Sequence, residues 1–417
     1  MNDSRPRAVI TGLGAITPLG LSLKELWEGL LAGRSGISRI TQFDPSTLPC
    51  QIAGEVKGFE AKVYMDFKEA RRVSRSSQFA LAAAKEAMAD AGLSGGFSDP
   101  ERVGVVLGTA IGGLDKLDEG VTTLRTRGWD KANPFITPNS LCNMPGHHVS
   151  RTYQALGPLS TIVTACAAGT QAVGEAAELI RRGIADVIIT GGVDATIQDF
   201  AVAGFCSMRA LPTTYNDRPE KASRPFSKDR EGFVYSEGCG ILILESFEHA
   251  RRRGARIYAE VAGHSASSDA YDVAKPDPTA AGAIRAMRWA LRDASLSPDD
   301  VDYVNAHGTS TPVGDVAETS AIKTVFGPRA PEMHISSTKS MIGHPMGAAG
   351  ALEAIVCAQT LHTGAIHPTI NYEVADPECD LDYVPNTARE APVRVTLSNS
   401  FGLGGQNACL ILKRLEA

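Results

Sequence analysis

Short apolar, β-branched runs alternate along the chain with longer alanine-rich segments whose apolar positions recur at helical spacing. The runs predict strands at 7–12, 102–108, 160–165, 186–192, 240–245, 257–263, 302–306 and 408–413. The periodic segments predict helices at 77–92, 167–182, 281–294, 316–326 and 348–362. Strands followed by helices of this length are typical of βαβ units, so we expect an α/β fold with helices on both faces of buried sheets.

Both halves of the chain begin with a strand and carry βαβ elements, which indicates a duplication that is weak at the level of residue identity. We therefore predict two domains, 1–255 and 256–417. The segment 214–233 is long and polar, which is typical of a functional or capping loop and not of a linker.

Composition narrows the classes of function. The net charge of −6 argues against a nucleic-acid-binding protein, and no apolar run reaches the length of a membrane span. The first strand begins so early that it leaves no room for a signal peptide. Eight scattered cysteines without a CxxC pair indicate reduced thiols. We therefore expect a cytoplasmic protein that binds neither nucleic acid nor membrane.

One cysteine has a conspicuous position. Cys166 follows the predicted strand 160–165 and precedes the predicted helix 167–182. Unpaired N–H groups and the helix dipole at such a junction stabilise a thiolate, so we expect a lowered pKa. The alternative is a small buried core residue, which is the common role of an isolated cysteine. Other groups must decide between the two.

Two histidine segments offer such groups. His307 lies in "DYVNAHGTSTPVGD" just after a strand, whereas Lys339 and His344 lie in "SSTKSMIGHPMGAAG" before a helix rich in glycine and alanine. Taken singly, each histidine can be an ordinary hydrogen-bonded loop residue, and Lys339 a solvated cation. The D-x-x-E spacing of Asp315 and Glu318 also fits a helix capping box.

A glycine-rich hairpin completes the set of motifs. "FGLGG" (401–405) joins two strands and is either a plain turn or a site where backbone N–H groups approach a substrate. No helix follows this segment, so it is not a phosphate-binding loop, and "GLGAITPLG" (12–20) has the wrong spacing for a dinucleotide-binding motif and contains Pro18.

Four segments, "TACAAG", "NAHGTSTPVGD", "SSTKSMIGHPMGAAG" and "SNSFGLGGQN", occur in this order and together closely resemble the β-ketoacyl-acyl-carrier-protein synthases. The similarity covers essentially the whole chain, including "RPFSKDREGFVYSEGCGILILE" (224–245), and is greatest to the type II members of bacterial fatty-acid synthesis. The resemblance implies an acyltransferase with a thiolase-like fold, in which two duplicated halves form five α-β-α-β-α layers, usually as a homodimer. It implies no cofactor, because the substrates travel on the phosphopantetheine of an acyl carrier protein.

The resemblance also implies a role for each matching residue. Cys166 would be the nucleophile. His307 and His344 would donate hydrogen bonds to an enolate, and the backbone N–H groups of Cys166 and Leu403 would form the oxyanion hole. The remaining roles are orientation of the histidines by Lys339, with Asp315, Glu318 and Glu353 in support; binding of the pantetheine arm by Thr309 and Thr311; and the acyl pocket, formed by Ile111, Phe135, Phe401 and Leu403.

Carrier docking should need a basic surface, because the carrier is acidic. The segment 66–78 concentrates Lys68, Arg71, Arg72 and Arg75, and it matches the family's docking segment, as does Arg209. A solvated helix face is the alternative explanation for these cations. We favour docking, with a salt-sensitive association as its signature.

Departures from the family pattern keep alternatives open. Leu403 stands where the family commonly has a gating phenylalanine, and Gln406 replaces a threonine, so chain-length preference is not fixed. A polyketide or polyene ketosynthase uses the same chemistry. A non-catalytic chain-length partner lacks the nucleophile, and a thiolase carries a second cysteine where this chain has His344. No catalytic metal is expected, and a structural cation beside Glu353 is compatible with the resemblance but not required by the sequence.

Overall fold

The computed structural model describes residues 6–415, in which fourteen strands and thirteen α-helices are present. The strands are β1 (Ala8–Ile16), β2 (Ser38–Arg39), β3 (Ile52–Ala53), β4 (Val103–Gly108), β5 (Leu159–Ile162), β6 (Val187–Asp194), β7 (Gly238–Ser246), β8 (Ala259–Ser268), β9 (Tyr303–Asn305), β10 (His334–Ser336), β11 (Ala365–Ile366), β12 (Arg389–Glu390), β13 (Val395–Gly402) and β14 (Gln406–Lys413). The helices are α1 (Leu23–Leu31), α2 (Phe67–Ala70), α3 (Arg75–Asp90), α4 (Leu114–Arg127), α5 (Ile136–Ser140), α6 (Met144–Tyr153), α7 (Ala168–Arg181), α8 (Asp199–Ser207), α9 (Phe247–Arg252), α10 (Ala281–Asp293), α11 (Pro312–Phe326), α12 (Lys339–Ile342) and α13 (Ala349–Thr363).

Ten strands form one sheet in the order β10-β9-β13-β14-β8-β1-β7-β6-β4-β5. Numbered along the chain within each half, the five strands have the order 3-2-4-5-1 on both sides of the β8–β1 junction. In each half, strands 3, 2 and 4 run parallel to one another, and strand 5 runs antiparallel to both of its neighbours, strands 4 and 1. The antiparallel contact of β1 with β8, where Val9 lies opposite Glu260, joins the halves. The predicted duplication is thus confirmed, whereas a boundary at residue 255 stays a prediction.

The helices complete five layers. α7 and α13 lie between the two half-sheets, since α7 contacts β4 and β6 on one side and β8 and β14 on the other, and α13 contacts β6, β7 and β13. α3 and α6 cover the outer face of the first half, and α10 with α11 covers that of the second. This α-β-α-β-α arrangement confirms the predicted fold class.

Small residues allow the central layer to be this thin. A Cβ atom on Gly169 in α7 would lie 2.7 Å from the backbone nitrogen of Ala351 in α13, so the two helix backbones touch there. Every side chain of α13 from Ala349 to Leu361 is buried, which explains why this helix is apolar on all faces. The alanine and glycine content of the sequence is therefore a packing requirement of the central layer.

The eight predicted strands and five predicted helices are all present, with shifted ends. The predicted strand 160–165 is too long, because β5 ends at Ile162 and Ala165 adopts a φ of +50° that a strand cannot contain. The predicted helix 316–326 begins earlier, at Pro312, where proline suits a first helical turn. α4 to α6 were not predicted, and α4 has no buried residue in the single chain.

The polar segment 214–233 is a packed loop. Arg224 pairs with Glu373 at 2.7 Å, and Arg230 pairs with Asp376 at 2.6 Å, so the loop is fastened to the second half of the chain. Its last residue, Phe233, reaches the cavity described below. Within residues 6–415 every helix is too short or too polar to cross a bilayer. The expectation about a signal peptide rests partly on residues 1–5, which lie outside the described range.

Candidate active site

A single cavity gathers the residues on which the sequence analysis depends. Cys166, His307 and His344 all line it. Most of the remaining wall is apolar, with contributions from Phe205, Met208, Phe233, Met346 and Phe401. An apolar wall with a few polar groups suits a flexible apolar chain that ends at those groups.

Cys166 lies in a 3-10 turn, Ala165–Ala167, that leads directly into α7. The positive φ of Ala165 turns the chain sharply between β5 and the helix, a conformation that costs energy in a residue with a side chain. Gly402, at the end of β13, allows the second half to approach this turn, because a Cβ atom there would lie 2.8 Å from the carbonyl oxygen of Thr164. The fold thus holds the sulfur at the cavity wall.

The expected low pKa of Cys166 is wrong. Burial raises the pKa of this thiol to about 11, although the backbone N–H groups of Leu403 and Cys166 and the charge of Lys339 act in the opposite direction. The side chain is almost completely buried, with 4% exposure. Desolvation of a thiolate therefore outweighs the helix terminus, which the sequence alone could not reveal.

The rings of His307 and His344 lie side by side in the cavity wall, in an edge-to-face contact at nearly right angles. Their ring centroids are 5.5 Å apart and their planes differ by 88°. Burial, followed by the nearby charge of Lys339, holds the pKa of both rings well below its usual value, so both are neutral at pH 7. Both Nδ1 atoms are buried without a partner among the described residues, which leaves Nε2 as the nitrogen open to the cavity.

Lys339 is not a solvated loop cation. It is 1% exposed and pairs with Glu353 of α13, which is equally buried. Its backbone carbonyl accepts a hydrogen bond of 2.7 Å from the Ser223 hydroxyl. Burial raises the pKa of the Glu353 carboxyl to about 7 in spite of the lysine. Lys339 and Glu353 lie outside the cavity lining, and the charge of Lys339 acts on both histidines from there.

Asp315 and Glu318 do not form a capping box either. α11 has Thr311 at its N-cap without a side-chain cap, and both carboxylates point inward. Glu318 accepts the backbone N–H groups of His307 and Gly308, each at 2.8 Å, and thereby fixes the histidine's backbone. Asp315 accepts the N–H of Phe226 at 2.8 Å, and burial raises its pKa to about 7.

The glycine-rich hairpin approaches the sulfur through its backbone. Leu403 begins the turn between β13 and β14, and its N–H is close enough to Cys166 to act on the thiol pKa. The Leu403 side chain is 36% exposed and lines the cavity together with Phe401, whose ring centroid lies 5.5 Å from that of His307. Thr309 and Thr311 also line the cavity, with their hydroxyls 3.0 Å apart.

Two predicted pocket residues lie elsewhere in the single chain. Ile111 and Phe135 do not line the cavity. The Ile111 N–H donates to Asp194 at 3.2 Å, and Phe135 is 43% exposed beneath the guanidinium of Arg72. Their assignment to the acyl pocket stays a prediction.

The five predicted docking cations lie in three different places. Lys68, Arg71 and Arg72 are exposed and surround a shallow concavity with Glu119 and Asn133. Only α2, a four-residue helix, underlies them, and their role in docking stays a prediction.

Arg75 does not belong to this surface. Its guanidinium pairs with the buried Glu237 at 2.7 Å, which makes it a structural residue. Arg209 is exposed at the cavity rim, between the lining residues Met208 and Ala210.

Asp194 is a site residue that the sequence analysis missed. At the end of β6 it accepts the Thr109 hydroxyl at 2.8 Å and the N–H groups of Ala110 and Gly347, both at 2.7 Å. Gly347 follows His344 by three residues, so Asp194 ties the histidine's turn to the first half of the chain. The available signal was a charged residue at the end of a fully buried apolar strand.

Several buried oxygen atoms of the second half lack a hydrogen-bond partner, and a structural cation beside Glu353 stays a prediction. Glu353 Oε2, Asn305 Oδ1, Ser398 Oγ and Asn399 Oδ1 are buried and have no partner among residues 6–415. Hard cations take such oxygen ligands. A second group, Glu178, His264 and Asp293, is bridged by the guanidinium of Arg181 and needs no metal.

Comparison with known sequences gives matches over nearly the whole chain. Residues 6–250 match the family model described as "Beta-ketoacyl synthase, N-terminal domain", and residues 258–373 match "Beta-ketoacyl synthase, C-terminal domain". A relative named 3-oxoacyl-[acyl-carrier-protein] synthase 2, from Synechocystis sp., is 47% identical over 415 residues and covers 100% of both chains.

Two solved structures are similar throughout. One chain comes from "The ishigamide ketosynthase/chain length factor", with a TM-score of 0.92, 37% identity, and coverage of 99% of this chain and 100% of that one. Another comes from a complex titled "AntDE:AntF (apo): type II PKS acyl-carrier protein in complex with its ketosynthase bound to the hexaketide", with a TM-score of 0.91, 35% identity and the same coverage.

Proposed function

Because the chain belongs to the β-ketoacyl synthase family, we propose that its cavity elongates acyl chains by a decarboxylative Claisen condensation. The acyl chain is bound to Cys166, the extender is malonyl-acyl-carrier-protein, and the pathway is fatty-acid elongation of the 3-oxoacyl-[acyl-carrier-protein] synthase 2 type. One observation carries the proposal: a thiol and two neutral imidazoles share one apolar cavity.

The first step is a thioester exchange. Cys166 Sγ attacks the acyl carbonyl, the bond from that carbonyl to the pantetheine sulfur breaks, and the thiol proton ends on the departing pantetheine. The N–H groups of Cys166 and Leu403 stabilise the oxyanion that forms in between. Because burial raises the pKa of this thiol to about 11, the resting group is the neutral thiol, and its proton has to leave the sulfur as the attack occurs.

The second step makes the carbon–carbon bond. Malonyl thioester loses CO₂, and the resulting enolate attacks the acyl carbonyl on Cys166. The C–S bond breaks, Cys166 recovers a proton from solvent, and a 3-oxoacyl thioester leaves on the carrier. Nε2–H groups of His307 and His344 donate to the enolate oxygen, which neutral imidazoles can do without a metal or a cofactor.

The positive field behind the histidines has a defined use here. Burial first, and the charge of Lys339 second, lower the pKa of both rings, so they remain neutral donors and do not become charged acids that would trap the enolate by protonation. Glu353 neutralises Lys339 on its far side, and Glu318 fixes the backbone at His307. These are positioning residues. A cation held by Glu353 and its neighbours would stabilise the same region.

The carrier docks on the exposed cations. Lys68, Arg71 and Arg72 form no ion pair within residues 6–415, so an acidic partner can pair with all three. Replacing them together with glutamine should raise KM for acyl carrier and leave kcat unchanged, with weaker dependence on salt than in the parent protein. Lys24→Gln, on an exposed face of α1, is the matched control.

Exposed apolar residues favour a homodimer. β5 ends the sheet with one side unpaired, and the large side chains Leu141, Leu156, Leu159 and Val163 are exposed nearby. An edge of this kind in a native protein needs a cover, and a second copy can supply it by continuing the sheet. Light scattering should give twice the chain mass, and Leu159→Lys should shift it toward the single chain. A cytoplasmic location accords with eight unpaired cysteines.

A polyketide or polyene ketosynthase is the second candidate, favoured by the titles of the two similar structures. Acyl carriers of graded length, incubated with malonyl carrier, distinguish the two by product mass. Saturated chains extended by two carbons once per turnover, with an added reductive system, support fatty-acid elongation. Repeated unreduced extension of one chain supports the second candidate, and an inert protein with every carrier contradicts both.

A further inference from the structure

The rim of the cavity carries one cationic side chain whose purpose the reaction chemistry does not explain. Lys275 is the only lysine or arginine that lines the cavity in the described part of the chain. It is exposed, and its ammonium forms no ion pair or hydrogen bond with residues 6–415, where most other cations near carboxylates are paired.

Burial orders the polar lining residues from floor to rim. Cys166 is 4% exposed, His307 8% and Thr309 9%, whereas Thr311 is half-buried and Lys275 is exposed. The arm of a thioester bound at Cys166 has to leave through the same cavity that Thr309, Thr311 and Lys275 line. An arm that ends in a phosphodiester brings a single negative charge to the rim, because a charged group cannot be buried cheaply.

The loop that bears Lys275 is held in place on both sides. The Gly404 N–H donates to the carbonyl of Val273 at 2.9 Å, and the Asp269 N–H donates to the carbonyl of Gly405 at 2.8 Å. Asp272 Oδ1 accepts the backbone N–H of Lys275 itself at 2.9 Å. The lysine is thus fastened to the same glycine-rich turn that supplies the oxyanion hole.

Two carboxylates on the rim make its local charge more negative. Asp269 accepts Asn407 Nδ2 at 2.7 Å, and Asp277 accepts the Thr279 hydroxyl at 2.8 Å, so both are committed to the loop. Without Lys275 the rim would repel an anion. With it, a phosphate-sized group has one mobile donor and a reduced local negative charge.

We propose that Lys275 binds the phosphodiester of the pantetheine arm and so selects phosphorylated over unphosphorylated thioesters. This inference rests on the proposed function, and it concerns the prosthetic arm and not the carrier's protein surface.

The test compares acyl-pantetheine with the methyl ester of acyl-4′-phosphopantetheine, whose phosphodiester carries the same single charge as the carrier-bound arm, and the rate of Cys166 acylation is read by intact mass. The parent protein should prefer the phosphorylated thioester by about fivefold, the scale of one exposed ion pair. Lys275→Gln should abolish or invert that preference, and Lys275→Arg should retain it. Lys24→Gln is the control for loss of a surface charge.

Arg209 is the competing cation at the rim, and Arg209→Gln should weaken acylation by the full carrier while keeping the phosphate preference. No preference in the parent protein, or an undiminished one in Lys275→Gln, overturns the inference while acylation itself sustains the proposed function. Absence of acylation by both thioesters and by the acyl carrier would instead contradict the proposed function.

Discussion

Two equivalent turns precede the two central helices, and they have opposite uses. Ala165–Ala167 leads into α7 and Met346–Ala348 leads into α13, and both begin with a non-glycine residue at positive φ, +50° and +49°. The second residue is Cys166 in one turn and Gly347 in the other. The first points a sulfur into the cavity, whereas the second lies against Asp194, which accepts its N–H.

The difference shows that two copies of one turn can take different roles, since one carries the candidate nucleophile and the other positions a nearby histidine. A Cβ atom on Gly347 would lie 2.6 Å from Asp194 Oδ2 and would also collide with the backbone of Ala110. That turn is therefore a contact between the halves, and it sets the position of His344 three residues earlier. Under the proposed function, one copy of the turn carries the nucleophile and the other positions a histidine that donates to the enolate.

The largest expected effect follows from removing the sulfur. Cys166→Ala should lower acyl transfer at least about a thousandfold, because no other nucleophile lines the cavity at that position. Intact mass after incubation with acyl carrier should show no adduct. Cys142→Ser, at a half-buried free cysteine, should retain the adduct on Cys166. An adduct of undiminished yield in Cys166→Ala would remove the first turn from the reaction.

Removing His344, which precedes the second turn, should affect the two steps of the reaction differently. His344→Ala should lower malonyl decarboxylation by about a hundred- to a thousandfold, because one of two donors to the enolate is lost, and it should leave acylation of Cys166 within a fewfold of the parent. CO₂ release and acyl-adduct formation are measured on the same samples. His147→Ala, at an exposed histidine, is the control. Equal losses in both steps would contradict the division of labour.

Burial of the first turn should be visible in its pH dependence. Since the pKa of Cys166 is raised to about 11, the thiolate fraction grows about tenfold per pH unit between pH 7 and 9, and the rate of alkylation should rise in parallel without a plateau. The rate of labelling by iodoacetamide, read on the Cys166 peptide, measures this. A plateau with a midpoint below pH 8 would restore the lowered pKa that the helix junction alone predicts.

The smallest effect concerns the second turn itself. Gly347→Ala should destabilise the protein by about 1–3 kcal/mol through overpacking against Asp194 and Ala110. It should also lower decarboxylation more than acylation, because His344 is displaced with the turn. Gly204→Ala in α8, where a Cβ atom meets nothing within 4 Å, should be neutral or stabilising. Denaturant unfolding gives the comparison, and equal stability of the two variants would contradict it.

The sequence indicated the helices and strands of this fold well, but it indicated poorly which side chains are buried. Helical spacing located α7 and α13 to within a residue or two, because their alanine and glycine positions are required by the central layer. α4, by contrast, has no buried residue in the single chain, so its pattern carried no strong signal. The shortened β5 follows from the backbone of Ala165, which no propensity of alanine reveals.

The candidate site divides in the same way. Family motifs identified Cys166, His307 and His344, which the fold brings to one cavity from positions far apart in the chain. They could not show that desolvation raises the pKa of the Cys166 thiol, that Arg75 forms an ion pair with the buried Glu237, or that Asp194 holds the second turn against the first half of the chain. Each of these depends on long-range packing, which local patterns do not encode.

A pulse and chase on the intact protein tests the central claim most directly. Acyl carrier should first add one acyl mass to Cys166, and malonyl carrier should then remove it: the malonyl carrier loses one CO₂ and gains that acyl group, so that it bears a 3-oxoacyl chain two carbons longer than the acyl chain. An adduct on another residue, or a condensed product without any Cys166 adduct, would contradict the account.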